Sequence, residues 1–251
     1  MDSSLHYQFA LPEKSLDDFV ESFWMLTNHS DTEKHAVILP DGRVDLFLSR
    51  STSEPFHVTL LGIGTLPEQA SIPPGSVTFA ISFKLPGAEY ILKSPIAHLL
   101  DKAENQPSGF WGFDENDLHD FEAFCQKATQ RLKTEIPQEI DTRKLKLFQL
   151  IYHSKGALSV KELSENVYWS SRQINRYFNQ QFGLPLKSYC NILRFRASFQ
   201  HIKNGKLFPE GKFSDQSHFI REIKKLSGVL PKDLSLNQND RFIQFSTIPE
   251  K

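Results

Sequence analysis

Two helix-start signals lying close together constrain the C-terminal part of this chain more than any other feature. Residues 159–162 read SVKE and residues 170–173 read SSRQ, so each has a serine three positions before a Glu or Gln. In this capping-box pattern the serine hydroxyl accepts a backbone N–H bond, and the Glu or Gln reaches back to the serine N–H. The pattern predicts two short helices with only Tyr168 and Trp169 between them, and such helices must cross steeply.

Apolar residues repeat at helical spacing behind each cap. Those of the first helix lie at i, i+3 and i+7: Val160, Leu163 and Val167. Those of the second form one stripe, Ile174, Tyr177, Phe178 and Phe182, and Gly183 ends the helix. The sequence therefore predicts a helix-turn-helix unit.

The remaining face of the second helix is polar and free of acidic residues. It carries Ser171, Arg172, Asn175, Arg176 and Asn179, and no Asp or Glu occurs from Ser170 to Phe182. Arginine pairs with guanine and asparagine with adenine in the major groove, whereas an ordinary solvated face mixes both signs of charge. This composition favours a DNA-contacting helix over a merely solvated one.

A second copy of the motif follows. The spacing Ile174-x-Arg176-x-Phe178-x₄-Gly183 recurs 45 residues later as Phe219-x-Arg221-x-Ile223-x₄-Gly228. Residues 186–203 are predicted to form one connecting helix that ends at Asn204-Gly205. Such a helix could place two recognition helices about one DNA turn, roughly 34 Å, apart.

These motifs resemble the DNA-binding domain of the AraC/XylS family over about residues 145–235. The resemblance is carried by GKFSDQSHFIRE at residues 211–222, KKLSGVLP at 224–231, and, in the first unit, Phe178-x₃-Phe182-Gly183, Tyr189 and Leu193-Arg194-Phe195. Residues 20–50 resemble more loosely the N-terminal domain of some regulators in this family. The resemblance implies a sequence-specific, DNA-binding transcription regulator.

The resemblance also implies roles for individual residues. The base-facing residues of the first recognition helix would be Arg172, Asn175 and Arg176, and those of the second would be Gln216, Ser217 and Arg221. Independently of the resemblance, a small hydroxyl such as that of Ser171 can reach a phosphate. His218 would serve either as a cap or packing residue or as a phosphate contact. Double-stranded DNA is the implied partner; RNA polymerase is a further one, and a small-molecule effector and a homodimer are left open.

The second unit departs from the family pattern. The family has a full supporting helix before the second recognition helix, but here residues 206–212 read KLFPEGK, and Pro209 and Gly211 disfavour a helix. We therefore predict a poorly supported second unit and a dominant first one.

The N-terminal part differs from the C-terminal part in net charge and in predicted secondary structure. Residues 1–140 carry 10 Lys and Arg against 21 Asp and Glu, whereas residues 141–251 carry 19 against 9. Short β-prone runs at residues 22–27, 36–39, 44–48, 57–63 and 77–83 predict strands, and residues 94–103 and 114–133 read as helices. The predicted fold class is α+β.

The predicted organisation is a β-rich sheet or barrel domain (1–134), a linker (135–141), an all-α domain of two helix-turn-helix units joined by a linker helix (142–235) and a tail (236–251). The role of the tail stays open, although Phe242, Ile243 and Phe245 would let it pack back on the body.

The sequence offers no support for enzymatic chemistry. The histidines have no metal-ligand spacing, no cofactor motif occurs, and Asp41 and Asp45 are better explained as turn and strand residues than as an acid–base pair. Cys125 and Cys190 fit a reducing cytoplasm, and no apolar run is long enough to span a membrane. Two alternatives remain: a ligand-binding β-domain protein, and an interaction module with a degenerate DNA-binding domain.

We predict that reversing the charge of Arg172 and Arg176 weakens DNA binding more than changing Arg221, because the first unit is the better supported one. A gel-shift titration of each variant measures the losses. Equal losses, or a larger loss at Arg221, would contradict the predicted dominance of the first unit.

Overall fold

The computed structural model describes residues 4–208 and 213–247, and it is an α+β structure with the strands in the N-terminal part and most helices in the C-terminal part. The strands are β1 Leu5–Ala10, β2 Val20–Asn28, β3 Lys34–Ile38, β4 Val44–Arg50, β5 His57–Leu61, β6 Glu68–Ile72, β7 Val77–Phe83 and β8 Ala103–Asn105. The predicted fold class and the five predicted strand regions are confirmed.

The strands form two antiparallel sheets. Six of them pair in the order β1-β2-β7-β4-β5-β8, and β3 pairs with β6 in a separate two-stranded sheet. The turn before β4 is tight, and Gly42 lies there at a φ of +79°. A side chain at this position would be strained, and its Cβ would also approach the Tyr189 ring to 3.1 Å.

The two faces of the larger sheet have different surroundings. Val44, Leu46 and Leu48 are fully buried against the helices, as the alternation along β4 predicts. Asp45 and Phe47 lie on the opposite face, in register with Ser82 and Ala80 of β7. This second face is the one that the small β3–β6 sheet partly covers.

The helices are α1 Leu85–Tyr90, α2 Phe121–Glu135, α3 Thr142–His153, α4 Val160–Val167, α5 Ser171–Phe182, α6 Leu186–Ala197, α7 Phe199–Lys203, α8 Gln216–Ser227, α9 Pro231–Leu236 and α10 Ile243–Thr247. Within the described ranges, none of them is long and apolar enough to cross a membrane.

Three helix predictions were wrong in extent. Residues 94–103 contain only the 3₁₀ turn Ala97–Leu99 and the start of β8, because the Gly62 N–H bonds the Lys102 carbonyl at 3.0 Å and draws the segment into the sheet. Residues 114–133 are a 3₁₀ turn followed by α2, because Asp120 caps a new helix start. The connecting helix 186–203 is divided into α6 and α7 at Ser198.

The strands and helices share one hydrophobic core. The largest cluster of buried residues runs without interruption from the β-sheet face through α2 and α3 to α5, α6 and α8. Helix α6 contributes six buried side chains to it: Leu186, Tyr189, Cys190, Ile192, Leu193 and Phe195. The sheet and the helices are therefore stabilised by the same burial of apolar surface.

Tyr189 connects three elements by hydrogen bonds. Its hydroxyl donates to the Gly42 carbonyl oxygen at 2.9 Å and bonds the Tyr152 hydroxyl at 2.8 Å. The Tyr152 hydroxyl in turn accepts the Leu85 N–H at 2.8 Å. Burial raises the pKa of both phenols, so the bonds join neutral groups.

The end of the helical part returns to the strands. The Val37 N–H bonds the Arg241 carbonyl, and the Gln244 side chain bonds both the N–H and the carbonyl oxygen of Leu39. Phe245 is buried, with its ring 5.1 Å from that of Phe199. The described part of the tail, through Thr247, thus packs on the body.

We expect Tyr189→Phe to lower the free energy of unfolding by about 1–3 kcal/mol, because it leaves the buried Gly42 carbonyl and the Tyr152 hydroxyl short of partners. Chemical denaturation measures the change. Tyr168→Phe is the matched control, since Tyr168 is 91% exposed. Equal effects of the two variants would show that the hydrogen bonds of Tyr189 contribute nothing specific.

Candidate nucleic-acid interface

Both predicted capping boxes are present, and they position the two helices of the first unit. The Ser159 N–H bonds Glu162 Oε2 at 2.7 Å, and the Ser170 N–H bonds Gln173 Oε1 at 3.1 Å. Between the helices Tyr168 takes the left-handed conformation, with a φ of 52°, and ends α4. The chain can therefore start α5 within two residues of the turn.

The inner face of α5 is fixed by aromatic packing and by one charged cluster. Phe148 of α3 lies about 6 Å, between ring centroids, from Tyr177, Phe178 and Phe182. Glu89 of α1 accepts hydrogen bonds from the Tyr177 hydroxyl and from Lys144 Nζ. Burial and the Glu89 carboxylate raise the pKa of Tyr177, which therefore stays a neutral donor. Helix α5 is thus held against both α3 and the N-terminal part.

The outer face of α5 is open. Arg172, Arg176 and Asn179 are exposed, and neither arginine forms an ion pair within residues 4–208 and 213–247. The capping box of α5 is closed by the neutral Gln173, whereas the capping box of α4 is closed by the acidic Glu162. This face therefore presents two cations without internal compensation.

Two other predicted contact residues of α5 are partly engaged inside the protein. Asn175 is half-buried: its Nδ2 donates to the Ser171 carbonyl at 3.0 Å, and its Oδ1 accepts the Leu186 N–H at 3.3 Å. The Ser171 hydroxyl donates to the Ser164 hydroxyl at 3.2 Å. The Asn175 amide therefore joins α5 to the start of α6, a role that the sequence analysis missed.

Helix α8 repeats the local geometry of α5. Gly183 and Gly228 both end their helix in the left-handed conformation, at φ of +82° and +75°. Phe219 and Ile223 are fully buried in α8, as Ile174 and Phe178 are in α5. The 45-residue repeat in the sequence thus corresponds to a repeat of structure.

The predicted contact residues of α8 lie at its exposed N-terminal half. Gln216, Ser217 and Arg221 are exposed, and Gln216 Nε2 donates to the Leu207 carbonyl at 2.7 Å. His218 is half-buried and packs on Phe213, with Nδ1 near the Ser214 N–H at 3.3 Å. These contacts favour the capping and packing role for His218.

Helix α5 has the short helix α4 directly before it, but α8 has no such helix directly before it in the described residues. From Asn204 to Phe208 and from Phe213 to Asp215 the chain is not helical. The predicted helix-breaking residues Pro209 and Gly211 lie outside the described residues, so that part of the prediction stays open.

A partly buried charged cluster lies between the sheet and α6, and it was not predicted from the sequence. Arg43 donates to Asp41 through Nε at 2.8 Å, and Arg196 of α6 pairs with Glu21 of β2. Burial raises the pKa of Glu21 and Asp41, but the paired arginines outweigh it and hold both pKa values below the ordinary range. Asp41 and Arg43 are neighbours in one turn, but Glu21 and Arg196 are 175 positions apart, so no local pattern signals the second contact.

The described residues show no metal site and no activated thiol. No group of three or more His, Cys, Asp or Glu side chains lies close enough together to hold a metal ion in the described ranges. Both cysteines are free, and burial raises the pKa of Cys125 and of Cys190 to about 12. Neither thiol therefore ionises near neutral pH.

Comparisons with known proteins give one family model and several distant structures. Residues 8–105, which include most of the strands, match a domain of unknown function, DUF6597. No curated protein matches the chain.

Solved structures of ToxT from Vibrio cholerae are among those similar to this chain. An apo ToxT variant is 11% identical with a TM-score of 0.40 and covers 94% of this chain and 98% of its own; a 1.65 Å ToxT structure is 13% identical with a TM-score of 0.39 and covers 93% and 98%. ToxT bound to an unsaturated fatty acid is 11% identical with a TM-score of 0.39 and covers 100% and 99%.

We expect Asn175→Ala to lower the free energy of unfolding by about 1 kcal/mol, because the buried Leu186 N–H then loses its side-chain acceptor. Chemical denaturation without DNA measures this effect. Asn179→Ala is the matched control on the same helix, because Asn179 is exposed and bonds only the backbone of its own helix. If both substitutions cost the same, Asn175 does not join α5 to α6 in the way described.

Proposed function

We propose that the protein is a sequence-specific, DNA-binding transcription regulator of the AraC/XylS type in which α5 enters the major groove. The observation that carries this proposal is the exposed face of α5, with Arg172 and Arg176 free of acidic neighbours on the same helix. Arginine side chains so presented can bind guanine edges or phosphates without first breaking an internal ion pair.

The charge distribution supports the same surface. Residues 141–251 carry 19 Lys and Arg against 9 Asp and Glu, and the helices of this region contain the candidate interface. A positive surface binds the phosphate backbone and releases counterions, which provides affinity for any duplex, while the polar residues of α5 discriminate among bases.

In this proposal the two helix-turn-helix units contribute unequally. Helix α5 is preceded closely by the capped helix α4, whereas residues 204–208 and 213–215, between α7 and α8, form no helix. Arg172, Arg176 and Ser171 therefore dominate binding, and Gln216, Ser217 and Arg221 add a second, weaker contact. Asn175 contributes by positioning α5 in addition to any contact with adenine.

The resemblance in sequence extends the proposal to the cellular setting. It adds RNA polymerase as a partner, a cytoplasmic location, and control by a small molecule or by homodimer formation through the N-terminal part. A catalytic function is not part of the proposal, because Asp41 is held by Arg43 in a turn and neither cysteine is activated.

The direct experiment measures binding of the full chain to a fluorescent duplex of random sequence, followed by selection of bound sequences from a random pool. We expect binding at roughly micromolar protein, weakening about tenfold or more between about 50 and 200 mM salt. Arg172→Glu and Arg176→Glu should each lower the affinity about tenfold, because each replaces a phosphate or base contact by a repulsive charge.

Lys14→Glu is the matched control. Lys14 is exposed in the turn before β2, far in sequence from the helical part, and its substitution makes the same change in net charge. Its effect should stay within about twofold. Failure of the wild-type protein to bind duplex DNA at low ionic strength, or equal losses in all three variants, contradicts the proposal.

A further inference from the structure

A cavity of about 200 Å³ lies between the outer face of the six-stranded sheet and the β3–β6 sheet. The turn before β4 and helix α10 close it on other sides. Its wall is mostly apolar and includes the rings of Tyr7 and Trp24, whose centroids are 6.4 Å apart. A space of this size and polarity suits a small organic molecule.

The charges that line this cavity are unbalanced. Four acidic residues, Asp41, Asp45, Glu68 and Asp101, face only two basic ones, Arg43 and Lys102.

Neither of the two basic residues neutralises the acidic charge inside the cavity. Lys102 lies at the exposed rim, and Arg43 already donates to Asp41 through two of its nitrogens. At the rim, Asp101 accepts hydrogen bonds from the backbone and side chain of Thr65. The interior of the cavity therefore holds an acidic group, Asp45, that no ion pair neutralises.

Asp45 is positioned by a short chain of hydrogen bonds. Trp24 Nε1 donates to the Ser82 hydroxyl at 3.0 Å, and that hydroxyl donates to Asp45 Oδ1. Within the described part of the chain, Asp45 Oδ2 accepts no hydrogen bond. Burial, with a smaller contribution from Asp41 and against the influence of Arg43, raises the pKa of Asp45 to about 6, as expected for a carboxylate short of donors.

We propose that this cavity binds a small, largely apolar molecule that carries one protonated amine or amidine group, and that this group pairs with Asp45 Oδ2. A cation here would gain a charge-assisted hydrogen bond and the electron-rich faces of Tyr7 and Trp24. An anionic ligand would lie among Asp41 and Asp45 with no unengaged cation inside the cavity, so its desolvation would go uncompensated.

The test uses three naphthalene compounds of matched size and different charge, titrated into the full chain near pH 8 by isothermal calorimetry. These are 1-naphthylmethylamine, 1-naphthylmethanol and 1-naphthoate. We expect the amine to bind about tenfold or more tightly than the alcohol, and the carboxylate to bind most weakly. Tighter binding of the carboxylate, equal affinities, or no binding of the amine at millimolar concentration overturns the proposal.

The residue assignment is tested with two substitutions that each remove one acidic charge. Asp45→Asn should abolish the preference for the amine over the alcohol, whereas Glu68→Gln at the exposed rim should change the affinity for the amine by no more than about twofold. An unchanged preference in folded Asp45→Asn would place the ligand elsewhere.

The pH dependence of the wild-type protein gives a readout that needs no variant. Asp41, Arg43 and Tyr7 face Asp45 from the turn and β1, and Arg196 faces it from α6. The pKa of Asp41 is held low and those of Arg43 and Tyr7 are raised, so between about pH 5 and 8 Asp41 stays ionised, Arg43 stays protonated and Tyr7 stays neutral. The rim residues Glu68, Asp101 and Lys102 complete the charged lining.

The affinity for the amine should therefore fall as the pH drops through about 6, when Asp45 takes up a proton, while the affinity for the alcohol stays constant. A flat profile for the amine contradicts the pairing with Asp45. None of these measurements involves DNA, so a failure here leaves the DNA-binding proposal untouched, and the reverse also holds.

Discussion

The hydrogen bond from the Tyr189 hydroxyl to the Gly42 carbonyl oxygen fixes how the helices sit on the strands. Gly42 leaves room for the Tyr189 ring, which a Cβ at that position would approach to 3.1 Å, and Tyr152 satisfies the other side of the phenol. Around it, α6 buries one side chain after another in the common core. The orientation of α5 follows, since α5 is joined to α6 through Asn175 and packs against α1 and α3.

Local signals in the sequence predicted most of helices α4 and α5. Caps such as Ser159 and Ser170 and helix ends such as Gly183 act over four residues, so their effect can be read from neighbouring letters alone. The predicted helix at residues 94–103 was wrong because pairing with β5, which lies some 40 positions earlier, outweighs local spacing. The contacts of Arg196 with Glu21 and of Glu89 with Tyr177 join even more distant segments, and no local pattern could show them.

The candidate interface was predictable to different degrees for its different residues. Arg172 and Arg176 are exposed because the apolar stripe buries the opposite side of α5. Helical periodicity alone was therefore enough to predict their exposure. The hydrogen bond from the Leu186 N–H to Asn175 Oδ1 depends on where α6 begins in space, and helical periodicity does not specify that position. The cavity beside Asp45 depends on how two separate sheets stack, and the alternation along β4 indicates only which face the carboxylate occupies.

The return of α10 to the small sheet has a consequence for chain connectivity. Tyr7 of β1 and Thr247 of α10 both line the cavity, so these two elements lie close together there. A circular permutant that joins these two regions by a short linker, and is opened between α2 and α3, would place the helical part before the strands. Because both parts bury their apolar surface in one core, we expect such a rearranged chain to reach the same three-dimensional structure.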